Sequence, residues 1–190
     1  KGKQIRTTGN HPYFTLEKRP AWKLRKLYAT FEVDQSNRLE DMGIDSVVSM
    51  ASSKTDQIIS IKIGKKTKRS IFNKYYTKKR KLFGPEMLAT LLIYASWVLG
   101  LKVGRLIIDK EYPNYENYIS AFIRRTYPEM VVSFKSIGHR AMAHQAAWSR
   151  ATNKKAPQRS ALLKTMANLD FEESLAAELL HLGMVTEDSQ

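Results

Sequence analysis

Two short apolar runs of the chain each end on one aspartate: residues 27–34 (LYATFEVD) and residues 103–109 (VGRLIID). If the two runs are neighbouring parallel strands, Asp34 and Asp109 emerge together at the carboxyl-end rim of a sheet, where α/β folds collect ligands and metals. Hard divalent cations take carboxylate oxygens, and Mg²⁺ is commonly held by one or two of them together with substrate phosphate. Asp34 and Asp109 are therefore the candidate catalytic and metal-binding residues, with Mg²⁺ or Mn²⁺ as the cofactor.

The charge of the chain indicates what would be brought to such a rim. The 190 residues carry a net charge of +14, distributed unevenly. Residues 1–169 contain all 32 Lys and Arg against 12 acids, while residues 170–190 contain six acids and no Lys or Arg. No acid occurs from Gln57 to Pro85, and ten basic residues fall between Lys62 and Lys81. A second acid-free stretch, residues 130–169, holds seven more. Such blocks attract polyanions with strong salt dependence, so nucleic acid, RNA or DNA, is the expected partner. The bland alternative is a solvated basic surface. A membrane is not expected, because no basic amphipathic helix with a clean apolar face appears. The longest apolar run, residues 87–101, is broken by Thr90, Ser96 and Gly100 and reads as a buried helix. The chain has no cysteine, which excludes a disulfide framework or thiolate metal site. That composition fits a reducing intracellular compartment: cytoplasm, nucleoid or nucleus.

The elements that must position the aspartates follow from periodicity and turn chemistry. Residues 1–26 form a basic, turn-rich N-terminal arm. Residues 27–34, 45–51 and 57–63 predict three strands joined by short polar loops, an antiparallel meander. Residues 64–81 read as a basic loop. Pro85, with Glu86 beside it, opens a helix that runs to Leu99. Residues 103–109 predict the fourth strand, 113–127 a helix, and 130–135 the fifth strand. Further helices are predicted over 138–153, 160–168 and 171–182, the last with a capping pattern of Asp170 and Glu173. A right-handed crossover after the third strand lays the fourth parallel beside the first. The expected domain spans residues 27–153, with a C-terminal helical extension and acidic tail over 154–190.

This order resembles the ribonuclease-H-like superfamily. Val33-Asp-Gln-Ser-Asn37 is similar to the Ile-Asp-Glu-Ser-Gly opening of ribonuclease-HII-like proteins, and residues 106–112 (LIIDKEY) resemble the Asp-Arg-Glu-Phe phrase of DDE-type transposases. The resemblance implies an α/β fold with a mixed five-stranded sheet, a three-strand antiparallel meander plus two parallel strands, flanked by helices. It also implies two-metal chemistry at phosphodiesters, Asp34 bridging the metals and Asp109 binding one, with the ions about 3.5–4 Å apart. Members usually carry further carboxylates on the crossover helix or the final helix. Here the crossover helix offers only Glu86, the third catalytic candidate, and residues 138–153 offer no acid, only His139 and His144.

Phosphate contacts are expected from Lys65, Lys66, Lys68, Arg69, Lys78, Lys79, Arg80 and Lys81 in the basic loop. Arg140, Arg150, Lys154 and Lys155 add to these from the late helix, and Tyr75 is expected to stack on bases. Competing readings stand beside these. A strand-ending Asp is often only a turn residue, and Glu86 suits a helix dipole without any catalytic task. Glu40, Asp41 and Asp45 read as surface charges. His139 and His144, five apart on a predicted helix, do not share one face as a zinc pair would, although one of them suits a general base. Residues 64–67 (GKKT) lack the earlier glycine of a phosphate-binding loop, since Ile59 occupies its place. Trp97 and Trp148 read as core. The apolar stripe Phe171, Leu175, Leu179 in the acidic helix suits docking on this domain or on a protein partner through residues 170–190; there it would mask the basic face. Three functions follow. One is a divergent Mg²⁺-dependent nuclease or strand-transfer enzyme. The others are a catalytically degenerate RNA- or DNA-binding protein within a larger nucleoprotein assembly, and an interaction protein.

Overall fold

The alternation of residues 27–34 becomes strand β1 (Ala29–Ser36), with Phe31 and Val33 fully buried on one side and Thr30, Glu32 and Asp34 on the other. The structure is a computed structural model, and it describes residues 29–52, 54, 57–99, 103–154 and 164–184. The N-terminal arm, Lys155 and the last six residues of the acidic tail lie outside the described residues.

β1 pairs antiparallel with β2 (Ser46–Ser52), and β2 with β3 (Gln57–Ile63), which is the expected meander. β4 (Val103–Ile108) lies parallel beside β1, as the crossover requires, and β5 (Val131–Phe134) lies parallel outside β4. The sheet has six strands rather than five, in the order β5-β4-β1-β2-β3-β6. The sixth, β6 (Lys164–Asp170), corrects the helix expected over residues 160–168. Its Ala, Leu, Lys and Met favour a helix locally, but the isoleucine-rich edge of β3 offers an open ladder, and pairing with it overrides propensity.

Helices α1 (Lys65–Ile71), α2 (Phe83–Val98), α3 (Glu116–Thr126), α4 (Met142–Thr152) and α5 (Glu173–Met184) flank the sheet. The protein is thus an α/β protein with a mixed sheet. Phe31, Val33, Val48, Met50, Ile59 and Ile61 build the main core with α2, α3 and α5 on one face. On the opposite face α4 lies against β1, β2 and β3. Its Ala143 and Ala147 meet a sheet surface of small side chains, where Ala51 packs and Ser49 and Ser60 exchange a 2.6 Å hydrogen bond. Small residues on both sides let the helix approach closely.

The basic stretch expected as a loop is mostly helical: α1, then a π-helical turn (Phe72–Tyr76) and a 3₁₀ turn (Arg80–Leu82) leading into α2. Its charge hid an apolar stripe. Ile71, Tyr76 and Phe83 are fully buried, and the Tyr76 and Phe83 rings meet edge to face at 5.1 Å. Gly64 supplies no side-chain cap to α1. Asp45, read as a surface charge, accepts the Lys65 N–H at 2.9 Å and pairs with Lys62 at 3.0 Å, contacts that hold its carboxyl below the usual carboxylate range.

Lys68 is the largest correction within this stretch. Expected on phosphate, it is fully buried, with Nζ donating to the Asp41 carbonyl at 2.5 Å, to Ser46 Oγ at 2.7 Å and to the Arg38 carbonyl at 3.4 Å. Burial depresses its ammonium pKa, with Asp41, Asp45 and Glu40 opposing that shift. Lys68 clamps the β1–β2 connection to α1. Lys68→Met, which keeps the stem and removes the donors, is expected to cost about 2–4 kcal/mol, because it strands buried acceptors. Urea unfolding of the variant beside Lys66→Met, an exposed neighbour expected to change stability by less than about 0.5 kcal/mol, checks this.

The acidic helix α5 packs on its own domain. Phe171, Leu179 and Leu180 are buried, and Phe171 meets Tyr94 of α2 edge to face at 5.8 Å. Its capping differs from the expected pattern, since Asp170 ends β6 and the helix begins at Glu173. Among the described residues no helix is long and apolar enough to cross a membrane.

Candidate metal centre

β1 and β4 pair in register through Val33 and Ile108, so the next residue of each, Asp34 and Asp109, stand side by side on the same face of the sheet. The Asp109 N–H donates to the Val33 carbonyl at 3.0 Å and carries the ladder one residue past β4. Asn37, with φ 64°, then lets the chain turn sharply away from β1, and its amide donates to the Asp45 carbonyl at 2.9 Å. Beyond β4 the Glu111 N–H donates back to the Asp109 carbonyl at 2.8 Å, a three-residue turn about the exposed Lys110. This turn returns the Glu111 carboxylate to the rim. Ligand oxygens of Asp34, Asp109 and Glu111 all lie within 4.8 Å of one another.

Asp34 and Asp109 are held by directed bonds. Asp34 Oδ1 accepts the Gln35 N–H at 2.8 Å, and its Oδ2 meets His144 Nδ1 at 2.6 Å. Asp109 Oδ1 accepts the Ile137 N–H at 2.6 Å. His144 comes from α4, and His139, in the turn before that helix, places Nδ1 3.3 Å from His144 Nε2. The two rings meet edge to face at 4.8 Å. With Nδ1–H donated to Asp34, His144 Nε2 becomes the acceptor for His139.

Burial dominates the electrostatics. Asp34 is only 3% exposed. Desolvation raises its pKa; the hydrogen bond and charge of His144 and the Gln35 N–H oppose this, and the Asp109 charge adds to it. Glu111 is raised likewise, by burial first and then by Asp109, with Gln35 acting against the rise. Crowded, desolvated carboxylates bind cations in place of protons, and a divalent ion relieves both the burial and the mutual repulsion. The cluster can therefore hold a metal ion. Gln35 lies beside the cluster: its side chain interacts with Glu111 and opposes the rise there, and its Oε1 accepts the Tyr112 hydroxyl at 3.3 Å. Carboxylate oxygens converging in this way suit a hard cation carrying water or phosphate.

Glu86 stands elsewhere. It is buried in the first turn of α2, on the opposite face of the sheet, where Tyr118 donates to it at 2.5 Å and Lys79 pairs with it at 3.2 Å. The third carboxylate of the cluster is Glu111, two residues after Asp109 in the Asp-Lys-Glu phrase. The signal was present, because a short turn after a strand returns the second residue on to the same rim. His144 was missed as a partner of Asp34 because the helix was expected to start at 138. It starts at Met142, which leaves His139 free to fold back on His144.

The other expected contacts divide. Lys65, Lys66, Arg69, Lys78, Arg80, Lys81, Arg140 and Lys154 are exposed. Arg69 Nε donates to the Met42 carbonyl at 2.9 Å, and Arg80 lies over the Phe72 ring. Tyr75 is half-buried against the core, with Lys74 over its ring at 5.3 Å. Arg150 is a structural clamp. It donates to the Ser60 and Leu169 carbonyls, to Asn168 Oδ1 at 3.2 Å and to Asp170 Oδ1 at 3.0 Å, tying α4 to β3 and β6. Lys155 lies outside the described residues.

An α/β protein whose mixed sheet gathers three carboxylates at one rim is the class this geometry defines. Comparison with protein-family models, with curated proteins and with solved structures gives no match.

Proposed function

We propose that the protein is a ribonuclease-H-like, metal-dependent nuclease or strand-transfer enzyme that acts on nucleic-acid phosphodiesters. The observation that carries this reading is the convergence of Asp34, Asp109 and Glu111 at the ends of two adjacent parallel strands, in a chain of net charge +14. The sheet order β4-β1-β2-β3 with one carboxylate at the end of each central parallel strand supports the ribonuclease-H-like assignment.

Asp34, Asp109 and Glu111 would hold Mg²⁺ or Mn²⁺. An ion held there would activate the attacking oxygen and stabilise the leaving one. The chain's own contribution is positioning. The Gln35 N–H, the Ile137 N–H and His144 fix the carboxylate orientations, as outer partners of metal ligands do. Exposed Arg140 and the exposed Lys and Arg of α1 and the turns after it supply a field that draws in the flanking phosphates.

The test is a panel of RNA–DNA hybrid, duplex, single-strand and branched substrates with Mg²⁺ or Mn²⁺, with binding recorded in the same reactions. Cleavage that requires the metal and is lost in Asp34→Asn and Asp109→Asn while binding survives supports the proposal. Salt-sensitive binding without cleavage, unchanged by either substitution, points instead to a binding protein in a nucleoprotein assembly.

A further inference from the structure

Helix α4 carries a second feature one turn beyond His144. Trp148, expected in the core, is 37% exposed, which among the described helical residues makes it, with Val98, one of two exposed large hydrophobic side chains. Residues four apart on a helix are neighbours on one side, with Cβ atoms roughly 6 Å apart, so Trp148 shares one side of α4 with His144, the partner of Asp34. Part of the indole is packed and part of it is left open to solvent on the helix that carries His144.

The chain then builds a cation onto this ring. α4 ends at Asn153, whose φ of 55° is left-handed and reverses the backbone. Ser149 Oγ donates to the Lys154 carbonyl at 2.5 Å and pins the reversed segment to the helix. Lys154 Nζ consequently lies 6.0 Å from the centroid of Trp148. A base that stacks on the indole would displace the ammonium from over the ring to that nucleotide's phosphate, so the pair matches one nucleotide.

We infer that Trp148 is a stacking platform for an unpaired base of the strand held at the carboxylate cluster, with Lys154 on that nucleotide's phosphate. This rests on the proposed nucleic-acid chemistry and narrows it to strands with exposed bases, single-stranded or locally opened. A paired base has both faces covered by its neighbours and gives the indole nothing to stack on. The platform is sequence-tolerant, because every base presents a π-face.

The experiment measures affinity of the full chain for a single-stranded oligonucleotide and for an abasic strand of the same length and charge, by anisotropy at fixed salt. The parent is expected to prefer the base-bearing strand. Trp148→Ala is expected to weaken that strand about tenfold and leave the abasic strand unchanged, whereas Trp148→Phe, which keeps a π-face, retains most of the affinity. Lys154→Gln is expected to weaken both strands alike. Equal affinity of parent and Trp148→Ala for the base-bearing strand overturns the platform while leaving nucleic-acid binding intact. So does a loss by Trp148→Ala that is equal on both strands. Self-association of the parent that Trp148→Ala abolishes also overturns it, since the indole then belongs to a contact between copies. Failure of the parent to bind either strand removes the underlying reading as well.

Discussion

Glu111→Gln is expected to lower metal-dependent cleavage by about 10²–10³-fold, as much as Asp109→Asn does, while Glu86→Gln leaves cleavage within a few-fold of the parent. The contrast follows from placement. Glu111 presents an oxygen within 4.8 Å of the ligand oxygens of Asp34 and Asp109, whereas Glu86 is enclosed by Tyr118 and Lys79 beneath the other face of the sheet. The carboxylates act as a unit, so the Asp109→Asn/Glu111→Gln pair is expected to cost little more than either change alone. His144→Ala, which frees Asp34 Oδ2, is expected to cost about 10–100-fold, the scale typical of an outer partner of a metal ligand. Single-turnover cleavage rates at saturating metal measure all five variants, with thermal unfolding run beside them to show that each one folds. A Glu86→Gln protein that folds but has lost cleavage would place the chemistry in the wrong half of the molecule.

The second large effect is on stability. Burial raises the pKa values of Asp34 and Glu111, so the folded state binds their protons more tightly than the unfolded chain does. Below their ordinary values, near 3.8 and 4.5, both states are protonated and the two groups cost nothing. As pH rises through the window from there to the raised folded values, the charged carboxylates progressively destabilise the fold, and above that window the full cost is present. Asp34→Asn is therefore expected to be more stable than the parent at neutral pH without metal, by about 1 kcal/mol. For a chain of this size that is about 2–4 °C in Tm. The difference is expected to shrink toward acid pH. Divalent metal reverses the order, since it stabilises the parent by about 2.7 kcal/mol at a hundredfold excess over Kd and leaves the variant unmoved. Melts across pH with and without Mn²⁺ read every term. A parent that gains stability relative to Asp34→Asn as pH rises would contradict the assignment of these carboxylates as desolvated.

Much of the site was legible before any coordinates. The two strands ending on Asp34 and Asp109 announced themselves by period and by their matching ends, and a right-handed crossover was enough to bring them together. The meander was equally plain. What the sequence concealed was set by tertiary contact. Residues 164–169 carry a helical composition and form a strand because β3 has an edge to be covered. Residues 65–82 advertise their charge and hide Ile71 and Tyr76, so a packed helical segment read as a loop, and Lys68 read as a phosphate contact although it is wholly internal. Glu111 was concealed by a single turn at Lys110. Trp148 was misassigned because tryptophan is usually core and only the actual start of α4 shows which side it occupies. Glu111 belongs to the carboxylate rim, whereas β6, the 65–82 segment and Lys68 were decided by packing elsewhere that overrides local propensity.

The most direct test of the metal centre is a Mn²⁺ titration of the folded protein at neutral pH, followed by the loss of the free-ion electron paramagnetic resonance signal. The parent is expected to bind Mn²⁺ at a site lost in Asp34→Asn, Asp109→Asn and Glu111→Gln and kept in Glu86→Gln. Binding that survives all three substitutions, or that disappears with Glu86, would contradict it.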